Sequence, residues 1–136
     1  MPGKRHKART IALQALYEVD SVGRSPTNAV ERLLEGTDLS PDISEFSRAL
    51  VDGAVKNREE IDQNIEKYAP AYPVEQLAII DRNILRLAIF EILFDNRVPV
   101  KVVVNEAVEL AKTFGSGSSA KFINGVLGSV SAVADR

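Results

Sequence analysis

Ala8, Ile11, Ala12, Ala15, Leu16 and Val19 recur at the three- and four-residue steps that line one face of an α-helix. Lys7, Thr10, Gln14, Tyr17 and Glu18 fall on the other side, and Gly23 marks the end of this first helix. Ser25 followed by Pro26 offers an N-cap with Pro at the first helical position, which predicts a short helix through Val30, Leu33 and Leu34 to Gly36. After Pro41, the residues Ile43, Phe46, Leu50, Ala54, Ile61, Ile65 and Tyr68 trace one long amphipathic helix.

Pro70 and Pro73 interrupt this pattern, because each disfavours a helical conformation in the residue before it. The chain is thus expected to form two helical subdomains, 1–69 and 74–136, with 70–73 as the joint. Val74 to about Ile80 predicts a short helix. Asn83 to Phe94 is apolar on almost every side, the pattern of a centrally buried helix. Its charged exceptions, Asp81, Arg82, Arg86 and Glu91, admit two readings: a narrow solvated stripe or a polar docking surface.

The β-branched run from Val98 to Val104 would suit a strand. Downstream spacing decides otherwise, since Val100, Val103, Val104, Ala107, Val108 and Ala111 continue one helical face until Gly115. An isolated strand would also leave its backbone groups unsatisfied. The fold class is therefore all-α, a compact helical protein of about seven helices. In the last helix, capped by Ser118 or Ser119, the inward face reads Phe122, Ile123, Val126, Leu127, Val130 and Val133. Lys121, Asn124, Gly125 and Gly128 share a different face, which suits either close helix packing or the approach of another backbone to a cation and an amide.

Composition narrows the chemistry. A chain of 136 residues with 45% hydrophobic and 26% charged residues can bury a real core. It has no cysteine and a single histidine, His6, so disulfides are excluded, and neither a metal site nor any cofactor is expected. No apolar run approaches the ~20 residues a membrane span needs, and no signal-peptide pattern follows the basic start, so a cytoplasmic protein is expected. The net charge of -2 hides an asymmetry: Lys4, Arg5, Lys7 and Arg9 precede any acidic residue. Cations at a helix start are disfavoured by the macrodipole, so local stability does not explain them. They read as an RNA phosphate clamp or as a solvated terminus. A hydrolase would need a proton-transfer pair, which His6 and scattered carboxylates do not supply. Gly115 to Lys121 lacks both the preceding strand and the spacing of a nucleotide-binding loop. These features point away from an enzyme.

Three blocks carry a resemblance. Val104–Leu127, with Asn105, Glu106, Ala107, Leu110, Ala111, Lys112 and Phe114 before a Ser/Gly loop and Lys121-Phe122-Ile123-Asn124-Gly125 after it, resembles the C-terminal part of the NusB transcription antitermination family. The basic start running into Ala12-Leu13-Gln14-Ala15-Leu16-Tyr17 is similar to that family's N-terminal helix, and Ile80 to Leu93 to its central helix. The resemblance implies an RNA-binding factor that recognises boxA of nascent ribosomal RNA leaders together with NusE, a small-subunit ribosomal protein. It implies further that this complex joins other Nus factors on RNA polymerase and supports processive transcription. Carried over by position, Lys4, Arg5, Lys7, Arg9 and Tyr17 would contact RNA with Lys121, Phe122 and Asn124, while Glu75 and Asp81 match the acidic region used against NusE. Phe122 can be core or a stacking platform. The serine and glycine loop after Phe114 departs from the acidic residues of many relatives. The alternative is a non-enzymatic protein-interaction scaffold or homodimer without sequence-specific RNA binding; relatives differ in self-association, and a homodimer closed through the RNA face would be an inactive store.

Overall fold

Seven α-helices and no strand are present among residues 3–134, the part of the chain described by the computed structural model. They are α1 (Lys4–Val22), α2 (Pro26–Glu35), α3 (Pro41–Lys56), α4 (Arg58–Tyr68), α5 (Ile79–Ile89), α6 (Val100–Phe114) and α7 (Ser119–Val133). A 3₁₀ turn at Val74–Gln76 precedes α5, and a π-helical turn at Phe90–Phe94 continues it. The all-α reading holds, and the ambiguous valine run opens α6 with Pro99 immediately before it. The outermost positions of the two expected subdomains, 1–2 and 135–136, lie outside the described residues.

The long helix expected from Ile43 to Tyr68 is instead two. Between Ala54 and Ile61 the apolar seam is interrupted by Asn57 and Arg58, and the chain leaves the helix at Asn57 (φ -104°, ψ 15°) before α4 begins. The chain divides into two compact units at Lys56/Asn57 rather than at the prolines. Helix α4 accordingly packs with α5 and α7, and Pro70 to Pro73 lie inside the second unit.

In the first unit α1, α2 and α3 pack on one another. Ala8, Ile11, Ala12, Ala15 and Leu16 are buried as the period requires, and so is Leu13, which extends the apolar stripe of α1. Facing residues include Val30, Leu34, Phe46, Leu50 and Ala54. The buried Ser47 hydroxyl donates to the Ala8 carbonyl at 2.9 Å, tying α3 to the start of α1. Gly23 closes α1 at φ +73°, a left-handed conformation open to glycine at little cost. Its N–H and that of Arg24 donate to the Val19 and Glu18 carbonyls. At α2 the Ser25 hydroxyl accepts from the Asn28 N–H at 3.2 Å, the cap its sequence announces.

In the second unit α5 is central, packed against α4, α6 and α7, and Ile84, Leu85, Leu87, Ala88 and Ile89 are all buried. Arg86 is neither part of a solvated stripe nor a docking residue. It is 4% exposed, and its Nε and Nη2 donate to the two carboxylate oxygens of Asp62 at 2.8 and 3.0 Å, with Nη1 donating to Asn83 Oδ1 at 3.2 Å. This bidentate pair fixes α4 to α5. Removing one member of such a pair typically costs about 3–5 kcal/mol, because the other charge is left buried. Glu91, at the far end of the helix, is buried too.

Candidate nucleic-acid interface

The basic start belongs to the first unit. Lys4, Arg5 and Lys7 are exposed, on a helix start that has no side-chain cap and no acidic residue in its first turn. Arg5 nevertheless has a support, since its guanidinium lies over the Phe46 ring, 4.9 Å from the centroid. Arg9 is corrected. It is 3% exposed with its guanidinium over the same ring at 5.2 Å, so it cannot present its charge to a phosphate in this conformation. The reason is its phase: Arg9, Leu13 and Leu16 follow one another at helical steps along the buried edge of α1. Tyr17 is 40% exposed on the outer side, in line with its expected phase.

Lys121, Phe122 and Asn124 belong to α7 in the second unit. Lys121 and Asn124 are exposed, as are Gly125 and Gly128, and a Cβ added to either glycine would meet no atom within 4 Å. The glycine face is therefore open, not a packing contact. Two grooves flank it. One is lined mainly by Tyr68, Ala69, Phe122, Gly125 and Val126; the other by Asn105, Val108, Glu109, Lys112 and Asn124; Lys121 lines both. Phe122 is half-buried and forms a wall of the first groove, so its ring is part core and part surface. Val133, expected inward, is 58% exposed in the last turn of α7.

The loop before α7 is held tightly. Ser118 occupies the cap position but makes no side-chain cap bond, and the buried Ser119 does the holding. Its hydroxyl donates to Asp81 Oδ1 at 2.6 Å and accepts from the Ser116 N–H at 2.9 Å. Gly115 has no room for a side chain, because a Cβ would stand 2.5 Å from Ser119 Cβ and 2.7 Å from the Ala111 carbonyl oxygen. Asp81 is thus half-buried against α7, while Glu75 is exposed and lines a separate cleft with Glu59, Glu66 and the Asp62–Arg86 pair. Next to Asp81, the Arg82 guanidinium donates to the Glu75 carbonyl at 3.0 Å. Sequence reading missed Phe46 as a support for Arg5, and Ser119 as the anchor of α7. Both act over long sequence separations that no local motif marks.

Among the described residues no group of three or more His, Cys, Asp or Glu is placed to hold a metal ion, and no helix is long and apolar enough to cross a membrane. The fold and these surfaces define an all-helical protein that offers cations, an amide and open glycines on two helix starts. A family model, the NusB family, matches residues 6–132. The transcription antitermination protein NusB of Dehalococcoides mccartyi is 55% identical over 136 residues, covering 99% of this chain and 95% of that protein. The structure of T. maritima NusB superposes with a TM-score of 0.91 at 30% identity, covering 100% of this chain and 96% of that one. A crystal structure of antitermination factors NusB and NusE in complex with dsRNA superposes with a TM-score of 0.88 at 32% identity, over 97% of this chain and 98% of that one. The chain belongs to the NusB family.

Proposed function

We propose that this chain is an RNA-binding transcription antitermination factor that recognises boxA of nascent ribosomal RNA with NusE and, joined to other Nus factors on RNA polymerase, supports processive transcription. The observation that carries the reading is the near-complete superposition on a NusB bound to both NusE and RNA, on a chain that keeps exposed cations at Lys4, Arg5, Lys7 and Lys121. Phosphates would be met by these cations, in a salt-sensitive contact. An unstacked base would lie in the groove walled by Tyr68 and Phe122, where aromatic stacking contributes roughly 1–3 kcal/mol per base. Asn124 and the open glycines let a backbone come close. Glu75 and Asp81 offer carboxylates to the partner. The role is binding, with no bond made or broken by this chain.

Fluorescence anisotropy of a boxA-like RNA and a scrambled control, at two salt concentrations and with and without NusE, tests the reading. Tighter boxA binding in the presence of NusE, weakened by salt, is expected. Equal, weak binding to both RNAs under every condition would sink it and leave a protein-interaction scaffold.

A further inference from the structure

We propose that Ser119 is a positioning residue for RNA binding, which through its hydrogen bond to Asp81 fixes the first turn of α7 and couples the acidic start of α5 to the RNA face. The inference rests on the RNA reading above and adds to it a connection between two surfaces of the second unit. Ser119 is buried, so its hydroxyl has to find partners within the protein, and it finds three: Asp81 Oδ1 at 2.6 Å, the Ser116 N–H at 2.9 Å and the Ser116 hydroxyl at 3.2 Å. The first bond reaches a carboxylate in the opening turn of α5; the second pulls the loop back onto α7. With Gly115 pressed against the same serine, the loop has no slack.

Lys121 and Phe122 follow within the same turn of helix, and the Phe122 N–H donates to the Ser118 carbonyl at 3.1 Å. A change in how Ser119 is held is therefore delivered to the cation and the ring that line the RNA grooves. Asp81 is half-exposed, so a cationic group of a protein partner and the Ser119 hydroxyl share one carboxylate. Binding at either surface then alters the other, and by thermodynamic necessity the effect is reciprocal.

The test uses the full chain with a boxA-like RNA in anisotropy, and amide exchange at Ser116 as a direct readout of the turn. Ser119→Ala and Asp81→Ala should each weaken RNA binding by about three- to tenfold, the scale of one lost hydrogen bond. The double variant should lose no more than Ser119→Ala alone, because the bond that Asp81→Ala removes is already gone in Ser119→Ala. Asp81→Asn removes the charge but keeps an acceptor oxygen, and should stay within about twofold of the unaltered chain with Ser116 still protected. If Asp81 acted only by repelling phosphate, Asp81→Ala and Asp81→Asn would both tighten binding. Unaltered affinity in Ser119→Ala, additive losses in the double variant, or equal weakness in Asp81→Asn and Asp81→Ala would overturn the inference. An unaltered chain that binds no RNA would instead overturn the RNA reading itself. Should Ser119→Ala fail to fold, the comparison of the two Asp81 variants decides alone.

Discussion

Helix α1 opens with Lys4, Arg5 and Lys7 on a turn that has neither a side-chain cap nor an acidic residue. Helix α7 carries Lys121 in a first turn clamped by Ser119, Asp81, Ser116 and a glycine with no space for a methyl group. Both starts place cations where the helix dipole disfavours them. At α7 side-chain hydrogen bonds hold the turn itself, whereas at α1 the support is the stacking of Arg5 on the Phe46 ring. Charge at α1 can act through non-directional neutralisation of phosphate, which tolerates long, mobile side chains. On the proposed reading the groups on α7 would meet a base and a backbone, which requires fixed geometry. On that reading α1 would supply salt-dependent affinity and α7 discrimination.

The largest expected effect comes from breaking the clamp. Gly115→Ala puts a Cβ against Ser119 Cβ and the Ala111 carbonyl, neither of which is the far end of a flexible side chain. We expect a loss of about 2 kcal/mol in denaturant unfolding, the range of overpacked sites. Preference for boxA over scrambled RNA should fall with it. An unchanged stability and preference would mean that the loop is not a clamp.

Next in size is the neutralisation of Lys4, Arg5 and Lys7 to glutamine. On single-stranded RNA each lost phosphate contact lowers the slope of log affinity against log salt by about 0.7, so the triple variant should lose about 2 in slope. Affinity at ~0.1 M salt should fall on the order of tenfold. Stability should stay roughly level, because the gain from removing three cations from a helix N-terminus is offset by the lost stacking of Arg5 on the Phe46 ring. The ratio of boxA to scrambled binding should survive, and its collapse would refute the division of labour between α1 and α7.

Arg9 sharpens the same point, and shows how far sequence could see. Its position in a run of basic residues reads as a phosphate contact, while the structure buries it beside the Phe46 ring, where packing is the role we propose. Arg9→Met should cost about 1 kcal/mol in stability through lost stacking on the ring while leaving the salt slope of RNA binding unaltered. Helix faces were legible because burial follows a 3.6-residue period, and Ser25, Pro26 and Gly23 carry their cap chemistry locally. Asn57 carries no such mark, so the break between α3 and α4 was invisible. The bonds from Arg86 to Asp62, and from Ser119 to Asp81, join residues distant in sequence and close only after packing. For that reason the positions of the cations could be read, and the means by which they are held could not.

The smallest effect is expected at Glu31, and it separates placed charge from total charge. The Arg48 side chain hydrogen-bonds Glu31, with Nε to Oε2 at 2.6 Å, and holds its carboxyl below the usual value. A lowered folded-state pKa means stability present above the ordinary carboxylate range and lost as pH falls through the folded value. Both side chains are substantially exposed, so solvent screens the pair, and Glu31→Gln should change Tm by about a degree at neutral pH, and by less in acid. Like the loss of any carboxylate, the substitution makes the chain more positive. If total charge set RNA affinity, Glu31→Gln would tighten binding by about as much as neutralising one lysine of α1 loosens it. We expect no such tightening, because Glu31 lines a cleft with Pro26, Val30 and Arg48 that holds none of the proposed RNA contacts. A measured gain equal to the loss from Lys4→Gln would show that α1 contributes only to an overall field, and that the contrast with α7 is one of rigidity without a difference in role.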